Sequence, residues 1–249
     1  GMRCLEDLLD MAPDRYEITV IGQEPWGNYN RIMLSPVLSG DKTIDDIMLH
    51  THAWYAEKGI RLIAGDAAVR IDRPRKQIYT EQGVVVDYDR LILATGSKPF
   101  VPPIPGADLK GVMSFRDIYD VNTMLDYCAS HKNAVVIGGG LLGLEAAYGL
   151  KQRGMNVTVL HLTDRIMDRQ LDAKASTMLK ASIEAKGIEI ITEANTEALL
   201  GNDGHVQQLR LNDGRTLQAD LVVFAVGIRP NMSLAQSAGL RCNRGVLVN

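Results

Sequence analysis

Residues 134–150 read AVVIGGGLLGLEAAYGL, an apolar run that passes into a glycine-rich turn and then into a helix-forming segment. Gly138, Gly140 and Gly143 fit the spacing G-x-G-x-x-G, directly after a predicted strand and at the start of a predicted helix, which is the context that a dinucleotide-binding turn requires. In such a turn the first glycine allows the tight bend, the second lets the backbone approach a diphosphate, and the third lets the helix pack closely on the strand. The stretch therefore predicts a nucleotide-binding strand–helix–strand unit.

The predicted helix begins inside this turn, and its N-terminus faces the ligand position. Its first turn includes Leu141 and Leu142, whose backbone N–H groups lie at the positive end of the helix dipole and suit a phosphate. The strand and helix on either side favour this interpretation over a glycine-rich turn without a ligand.

The residue after the next strand bears on the choice of coenzyme. Residues 156–160 form that predicted strand, and a Rossmann fold normally places a ribose-binding acid at its end, but His161 stands there. The loop that follows offers both charges, so the preference between coenzymes stays open, with NADH slightly favoured. The candidates are Asp164 for the ribose of NADH, and Arg165 or Arg169 for the additional phosphate of NADPH.

Composition excludes several classes of protein. The chain has 249 residues, of which 46% are hydrophobic and 23% charged, as in globular proteins. A net charge of −3 with scattered signs gives no basic surface for nucleic acid or an anionic membrane. Three widely spaced cysteines form no C-x-x-C pair, which predicts a cytoplasmic protein without a metal site.

Strand and helix patterns continue on both sides of the fingerprint. The prolines of residues 99–106 indicate a domain boundary, and each half of the chain ends its β-rich part in A-T-G (94–96) or A-V-G (225–227), which suggests a weak internal repeat. The alternation of strands and helices predicts an α/β fold with parallel sheets. Predicted helices cover 3–11, 45–58, 117–129, 141–153 and 171–186, and predicted strands cover 17–21, 60–64, 67–71, 76–80, 84–88, 91–94, 134–137, 156–160, 188–192 and 221–226, with a hairpin over 198–217.

The first half carries a second group of candidate ligand contacts. Glu24 follows the strand 17–21, at the position of a ribose-binding acid, and the guanidinium of Arg31 suits bidentate bonds to a phosphate. Thr95 and Gly96 close a buried strand and let a ligand lie close to the backbone.

Taken in order, these motifs resemble the two-domain flavoprotein reductases of the pyridine nucleotide–disulfide oxidoreductase family. The resemblance rests on Glu24, N-Y-N-R-x-x-L-S (28–35), A-T-G, G-G-G-L-L-G-L-E-A-A and A-V-G-I-R-P-N (225–231). The segments E-P-W-G-N-Y-N-R-I-M-L-S-P and M-D-R-Q-L-D are similar to the large subunits of assimilatory NAD(P)H nitrite reductases.

The resemblance implies two Rossmann-like, doubly wound, three-layer domains, with an NAD(P)H domain inserted in an FAD domain. The implied limits are 1–105 for the FAD domain without its first strand, 106–229 for the NAD(P)H domain, and 230–249 for an incomplete return to the FAD domain. FAD would contact Glu24, Asn30, Arg31, Ser35, Ala68, Thr95 and Gly96; NAD(P)H would contact Gly138, Gly140, Leu141, Leu142, Gly143, Glu145, His161, Asp164 and Gly227. Glu145 would also position the nicotinamide, as the one catalytic candidate.

Two departures from the family pattern affect the expected chemistry. Many relatives have a lysine after L-S, where Pro36 stands here, and no redox-active cysteine pair is present. Electrons are therefore expected to leave the flavin for an acceptor domain or protein; siroheme and an iron–sulfur cluster would lie in a C-terminal region that this sequence lacks. Gly1 is interpreted as the third glycine of a first fingerprint or as a cloning remnant, and weak FAD retention by the isolated segment is expected.

Two alternatives remain. One is a rubredoxin or ferredoxin reductase, or an NADH oxidase, of the same fold, and the other is a module that binds NAD(P)H without turnover. A homo-oligomer is left open.

Overall fold

The computed structural model describes residues 1–248, so Asn249, the last residue of the third predicted segment, lies outside the described residues. Contacts divide the chain into two compact units. Unit 1 comprises Gly1–Asn30, Met48–Lys98 and the chain from Pro230 onward, and unit 2 comprises Arg31–Ile47 and Pro99–Arg229. The larger part of unit 2 thus lies between two segments of unit 1 in the sequence, as in an inserted domain, while residues 31–47 make their contacts in unit 2.

The secondary structure follows the chain in this order. The α-helices are α1 (Met2–Met11), α2 (Leu34–Ser39), α3 (His52–Glu57), α4 (Ile118–Ser130), α5 (Leu141–Gln152), α6 (Ala173–Glu184) and α7 (Ser233–Ser237). The strands are β1 (Thr19–Gly22), β2 (Arg61–Ala64), β3 (Ala68–Asp72), β4 (Gln77–Thr80), β5 (Val85–Asp87), β6 (Ser97–Pro99), β7 (Val112–Ser114), β8 (Asn133–Ile137), β9 (Asn156–Leu160), β10 (Ile188–Ile191), β11 (Thr196–Asn202), β12 (His205–Leu211), β13 (Thr216–Gln218), β14 (Leu221–Phe224) and β15 (Ile228–Pro230).

Unit 2 is built on a five-stranded parallel sheet in the order β10-β9-β8-β14-β7. The chain leaves β8 towards β9 and β10 on one side and later returns through β14 on the other. This reversal of strand order makes the carboxyl ends of β8 and β14 the switch point of the sheet, where open α/β sheets bind their ligands.

Two further layers cover the parallel sheet of unit 2. Helix α5 packs against β8 and β9, and the antiparallel sheet β11-β12-β13 shares an apolar cluster with the parallel strands. Leu209, Val222 and Phe224 are almost fully buried in that cluster. Strands covered on both faces need nearly continuous apolar sequence, which is what β8 and β14 carry. The predicted α/β class with parallel strands and a three-layer unit is confirmed here.

Unit 1 contains a two-stranded parallel sheet, β1-β2, and a three-stranded antiparallel sheet, β3-β4-β5. Helices α1 and α3 contribute to its apolar cluster through Leu5 and Tyr55, which pack with Ile60. No helix among residues 1–248 is long and apolar enough to cross a membrane.

The strand predicted over residues 91–94 is wrong. The structure assigns no strand there, and Ile92 is 63% exposed. An apolar run becomes a strand only when another strand offers its N–H and C=O groups, and within the described residues the parallel sheet of unit 1 ends at β1 and β2. The apolar sequence alone could not supply that partner.

The helix predicted over residues 45–58 is also wrong in extent. A 3₁₀ turn spans Asp45–Ile47 and helix α3 begins only at His52, because Thr51 adopts an extended backbone and its side chain accepts a hydrogen bond from the Trp54 N–H. Before it, the N–H groups of Leu49 and His50 both donate to Asn28 O, and the chain bends there instead of continuing as a helix.

A helical segment appears where the turn-rich sequence indicated irregular structure. A 3₁₀ turn over Arg31–Met33 leads into α2, which contains Pro36 in its first turn and ends at Gly40, a residue with φ +96°. Proline is tolerated there because the first N–H groups of a helix have no intrahelical partner.

Candidate functional site

The glycine turn of residues 138–143 lies at the switch point of the parallel sheet. Gly138 has φ +124°, and a Cβ atom on it would overlap the carbonyl oxygen of Ala225, which follows β14. A Cβ atom on Gly143 would overlap the carbonyl oxygen of Gly138. Both positions therefore require glycine for the turn and the helix to pack against the two strand ends.

Gly140 has the opposite surroundings. No heavy atom lies within 4 Å of the position that its Cβ would take, although it is the N-cap residue of α5. No side chain caps this helix, and the flanking Leu141 and Leu142 are 61% and 37% exposed. An uncapped helix N-terminus behind a glycine with open space is the cradle that a dinucleotide diphosphate fits.

His161 follows β9 but its side chain faces the glycine turn. The Gly139 N–H donates to His161 Nδ1 over 3.0 Å, and Nε2 lies 3.6 Å from Asp168 Oδ1. The side chain is 13% exposed. The structure thus places the imidazole against the turn that would hold the diphosphate.

The charged residues beyond His161 lie on the surface. The Asp164 carboxylate is 67% exposed and 3.4 Å from the Arg165 guanidinium, and Arg169 is exposed. An exposed ion pair of this kind contributes little to stability, so both charges remain available for a ligand. Asp164 thus offers a negative charge and Arg165 a positive charge to a coenzyme at this surface.

Glu145 and Ser35, assigned by resemblance to the nicotinamide and to the flavin side, are brought together in unit 2. The Ser35 hydroxyl donates to Glu145 Oε2 over 2.7 Å. Helix α2 packs on α5 around this bond, with Leu38 against Gly149, where a Cβ atom would come within 2.8 Å of the leucine side chain. The Arg153 guanidinium closes the contact by donating to Leu38 O at 2.7 Å and Val37 O at 3.1 Å.

Arg31 is held at the start of α4. Its guanidinium donates to Arg116 O over 2.7 Å. The adjacent turn is a capping box, in which Asp117 accepts from the Asp120 N–H while Asp120 accepts from the Asp117 N–H at 3.2 Å and the Arg116 N–H at 2.6 Å. Burial and then the Asp117 carboxylate raise the pKa of Asp120 to about 6, against those hydrogen bonds and the charge of Arg31.

In unit 1, Glu24 lies two residues beyond β1. Its Oε2 accepts a hydrogen bond from the Tyr29 hydroxyl at 2.5 Å, and its carbonyl accepts from the Gly65 N–H. Asn30 is half-buried, and Ala68 begins β3, where it pairs with Thr80. The Tyr29 hydrogen bond ties Glu24 to the segment that carries Asn30, a contact that no sequence motif indicates.

Thr95 and Gly96 form hydrogen bonds with Asn231, in the last segment of unit 1. The Thr95 hydroxyl donates to Asn231 O at 2.7 Å, and the Asn231 N–H donates to Gly96 O. Gly96 has φ +64° with open space on its Cβ side.

The start of α1 repeats a contact of α5. Gly1 is the N-cap of α1 without a side-chain cap, and a Cβ atom on it would lie 2.9 Å from Ala94 Cβ. In unit 2 a Cβ atom on Gly143 would lie 3.3 Å from Ala225 Cβ. Gly227, like Gly96, has positive φ and open space. The two units therefore place a glycine of the helix start against the alanine of A-T-G or A-V-G, as the suspected repeat predicts.

The three cysteines of the described residues are unpaired and lie apart from any cluster of possible metal ligands. Cys4, Cys128 and Cys242 are free, and burial raises the pKa of the Cys128 thiol, which keeps it protonated. Among residues 1–248 no group of three or more His, Cys, Asp or Glu residues could hold a metal ion.

Two stabilising features near the site were not predicted from the sequence: the capping box at the start of α4 and the contact of Arg153 with α2. Asp117 and Asp120 carry the spacing of a capping box, a signal that would have identified the α4 start. Arg153 carries no such signal, because its carbonyl partners lie more than a hundred residues away in the chain.

The geometry and motifs define a dinucleotide-binding oxidoreductase fold, and the comparisons identify it. The family model of pyridine nucleotide-disulphide oxidoreductases matches residues 1–249, so the chain belongs to that family. The resemblance to this family that the sequence motifs predicted is confirmed.

Two curated relatives and one solved structure show which members of the family the chain resembles. The chain is 49% identical over its full length to the nitrite reductase (NAD(P)H) of Bacillus subtilis, covering 31% of that protein, and 44% identical to the assimilatory nitrate reductase electron transfer subunit of the same organism, covering 32%. The fold matches the crystal structure of a ferredoxin reductase from Rhodopseudomonas palustris with a TM-score of 0.88 and 29% identity. The match covers 96% of this chain and 59% of the reductase chain. The chain spans about a third of the length of these two Bacillus relatives.

Proposed function

We propose that this chain is the electron-entry part of a flavin-dependent NAD(P)H oxidoreductase, in which unit 2 binds NAD(P)H and unit 1 binds FAD. The observation that carries the proposal is the glycine turn at the sheet switch point, closed at Gly138 and Gly143 and open at Gly140. Membership of an oxidoreductase family supports the same assignment.

Within unit 2, each proposed contact has a distinct task. The uncapped first turn of α5, at Leu141 and Leu142, binds the diphosphate through backbone N–H groups. The space beside Gly227 admits the ligand close to the backbone. Glu145, fixed by Ser35, orients the nicotinamide carboxamide and does not exchange a proton with it, since hydride transfer depends on alignment more than on acid–base catalysis.

The proposed FAD contacts of unit 1 are Glu24 for the ribose, Asn30 beside it, Ala68 for the adenine, and Thr95 with Gly96 at the open backbone. The N-terminus of α1 fits a phosphate because no side chain caps it. Arg31 and Ser35, also assigned to FAD by resemblance, make their contacts in unit 2. FAD, when bound, supplies the acceptor for the hydride and the means of passing electrons onward.

The proposed onward acceptor is a further domain or protein carrying siroheme and an iron–sulfur cluster, which would reduce nitrite. The identity to the nitrite reductase of Bacillus subtilis favours this assignment. A second candidate is an oxidase or ferredoxin reductase, because the chain is 34% identical to the NADH oxidase of Methanocaldococcus jannaschii and covers 52% of that protein. A cytoplasmic location stays a prediction from the cysteine composition, and a homo-oligomer stays open.

A spectroscopic titration tests the proposal. The intact protein is loaded with FAD and mixed anaerobically with NADH or NADPH, and the absorbance of oxidised flavin is expected to fall. Binding of NAD(P)H with no flavin bound, or with no loss of absorbance, would make the chain a non-catalytic binding module. Addition of nitrite, oxygen or a ferredoxin to the reduced protein then distinguishes the acceptors.

Coenzyme preference is tested with two neighbouring variants. If Asp164 binds the ribose, Asp164→Ala weakens NADH binding with little effect on NADPH. If Arg165 binds the additional phosphate, Arg165→Ala weakens NADPH binding, and both dissociation constants can be measured by coenzyme fluorescence.

A further inference from the structure

His161 occupies the first position after β9, where doubly wound folds place the residue that contacts the adenosine ribose. Its imidazole instead faces the glycine turn. The Gly139 N–H donates to Nδ1 over 3.0 Å, and the side chain is 13% exposed. The ring therefore contacts the middle residue of the diphosphate-binding turn.

The same turn is held from its other side by the loop that follows His161. The Met167 N–H donates to Gly139 O at 2.9 Å, and Met167 has φ +51°, a strained backbone for a residue with a side chain. Ile166 is fully buried, and its carbonyl accepts from the Ser176 hydroxyl at 2.7 Å. A Cβ atom on Gly139 would come within 2.8 Å of Ile166 and 3.0 Å of the imidazole.

Both backbone groups of Gly139 are thus satisfied by one loop. Gly139 lies between Gly138, whose position is fixed by Ala225, and Gly140, which faces open space. A bond to the Gly139 N–H fixes the peptide plane between residues 138 and 139, and so sets the direction in which the backbone enters the first turn of α5. Without it the N–H groups aimed at a diphosphate would lose their common orientation.

We propose that His161 is a positioning residue for the dinucleotide turn, and not a ribose contact, so that recognition of the ribose passes to the loop residues 162–165. The inference rests on the proposed binding of NAD(P)H by unit 2. It replaces the role that the sequence resemblance implied for His161 and leaves Asp164 and Arg165 as the determinants of coenzyme preference.

The bond requires one protonation state of the ring. Because Gly139 N–H is the donor, Nδ1 carries no hydrogen, and the neutral ring has its hydrogen on Nε2. Nε2 is buried and, among the described residues, has no hydrogen-bond partner; Asp168 Oδ1 at 3.6 Å is the acid beside it. The arrangement can therefore be read directly from the ring nitrogens.

Nuclear magnetic resonance of ¹⁵N-histidine-labelled protein without coenzyme provides the first test. The chain has five histidines, and loss of one pair of signals in His161→Asn assigns the ring. We expect an unprotonated Nδ1 and a protonated Nε2. A protonated Nδ1 would overturn the proposal, whether or not the protein binds NAD(P)H.

A pair of substitutions provides the second test. His161→Asn places an amide oxygen where Nδ1 lies, so it retains the acceptor for Gly139, whereas His161→Leu fills similar space without one. Without an acceptor the free turn can relax so that water reaches the Gly139 N–H, and restoring the binding geometry then costs about as much as burying that unsatisfied group, which corresponds to about tenfold or more in the dissociation constant. We therefore expect a dissociation constant for NAD(P)H within about threefold of wild type for His161→Asn and at least about tenfold higher for His161→Leu. The matched controls are His205→Asn and His205→Leu at the exposed first residue of β12, which should leave binding unchanged.

Amide hydrogen exchange separates the outcomes. Without coenzyme, the Gly139 amide should exchange faster in His161→Leu than in wild type or His161→Asn. Equal binding and equal exchange in the two variants would overturn the positioning role. Weaker binding in both, with unchanged exchange at Gly139, would restore a direct ribose contact. If wild type binds no NAD(P)H, the proposed function fails, while the exchange and ring-nitrogen results still decide the role of His161.

Discussion

At the scale of single residues, the glycines of the fingerprint share a motif but not an environment. Gly143 faces the backbone of Gly138, whereas Gly140 faces open space. Gly143 therefore serves the fold, and Gly140 is proposed to serve the ligand. This difference is invisible in the spacing G-x-G-x-x-G.

Replacing each of these two glycines by alanine should separate folding from binding. Gly143→Ala forces a methyl group onto the Gly138 carbonyl, and we expect the free energy of unfolding to fall by about 2 kcal/mol or more, with NAD(P)H binding weakened as well. Gly140→Ala should change stability by less than about 1 kcal/mol but weaken NAD(P)H binding, because its methyl group would lie on the diphosphate side. Urea denaturation and coenzyme titration measure the two effects, and equal stability losses would contradict this division.

At the scale of secondary-structure elements, groups distant in the chain support two helix termini in addition to the local caps. The start of α4 binds Arg31 through the Arg116 carbonyl, and the end of α2 is bound by Arg153. Segment 31–47 is thereby tied to α4 and α5 of unit 2. Short helices gain most of their stability from such contacts, since isolated helices of this length are marginal.

The capping box of α4 makes stability depend on pH. Burial, and then the Asp117 carboxylate, raise the pKa of Asp120 from its ordinary 3.8 to about 6 in the folded chain, so the folded state binds more protons than the unfolded chain between these two pH values. The free energy of unfolding should therefore fall by up to about 3 kcal/mol as the pH rises from about 4 to about 6, and should change little at higher pH. Asp120→Asn keeps an acceptor for the N–H groups but does not titrate.

Denaturation of wild type and Asp120→Asn across pH 4 to 8 measures this effect. The stability of wild type relative to the variant is expected to decrease over that window. A constant difference would show that Asp120 does not titrate in the folded chain at these pH values.

The clamp at the end of α2 provides a second prediction at this scale. Arg153→Ala removes two charge-assisted hydrogen bonds, and we expect about 2 kcal/mol of local stability to be lost. Amide exchange and proteolysis within residues 31–47 should increase. Arg153→Lys keeps the charge but lacks the planar fork, so its exchange and proteolysis rates should lie between those of wild type and Arg153→Ala. Unchanged exchange in Arg153→Ala would refute the clamp.

At the scale of the whole molecule, the chain forms two units whose sheets differ in size. Unit 2 has a five-stranded parallel sheet, while unit 1 has two parallel strands and a separate antiparallel sheet among its described residues. The units are expected to respond separately to a ligand of one of them.

Coenzyme-linked hydrogen exchange tests this separation. At a concentration of NADH about 100 times its dissociation constant, the binding unit gains about 2.7 kcal/mol. Amides of β8, β14 and the first turn of α5 should be protected, and those of β3–β5 should not. Equal protection throughout would indicate that the chain unfolds as one cooperative body.

Much of this protein could be predicted from local sequence. Strands β8, β9 and β14 and helix α5 lie where the apolar runs and glycines indicated, because a buried parallel strand and a glycine-started helix are specified by the residues they contain. The Asn202–His205 turn likewise follows from Asp203 and Gly204, both of which adopt positive φ.

The remaining features needed the tertiary structure. Among the described residues, 91–94 have strand composition but no strand partner, the chain bends at residues 49–50 where two N–H groups donate to Asn28 O, and α2 is held by α5 and Arg153. The direction of His161 was equally beyond the sequence, since a histidine after β9 suits a ligand or a neighbouring loop. The sequence by itself determined the fold class and the dinucleotide turn; the tertiary structure decided which side chains serve that turn, because hydrogen-bond partners are chosen by distance in space and not along the chain.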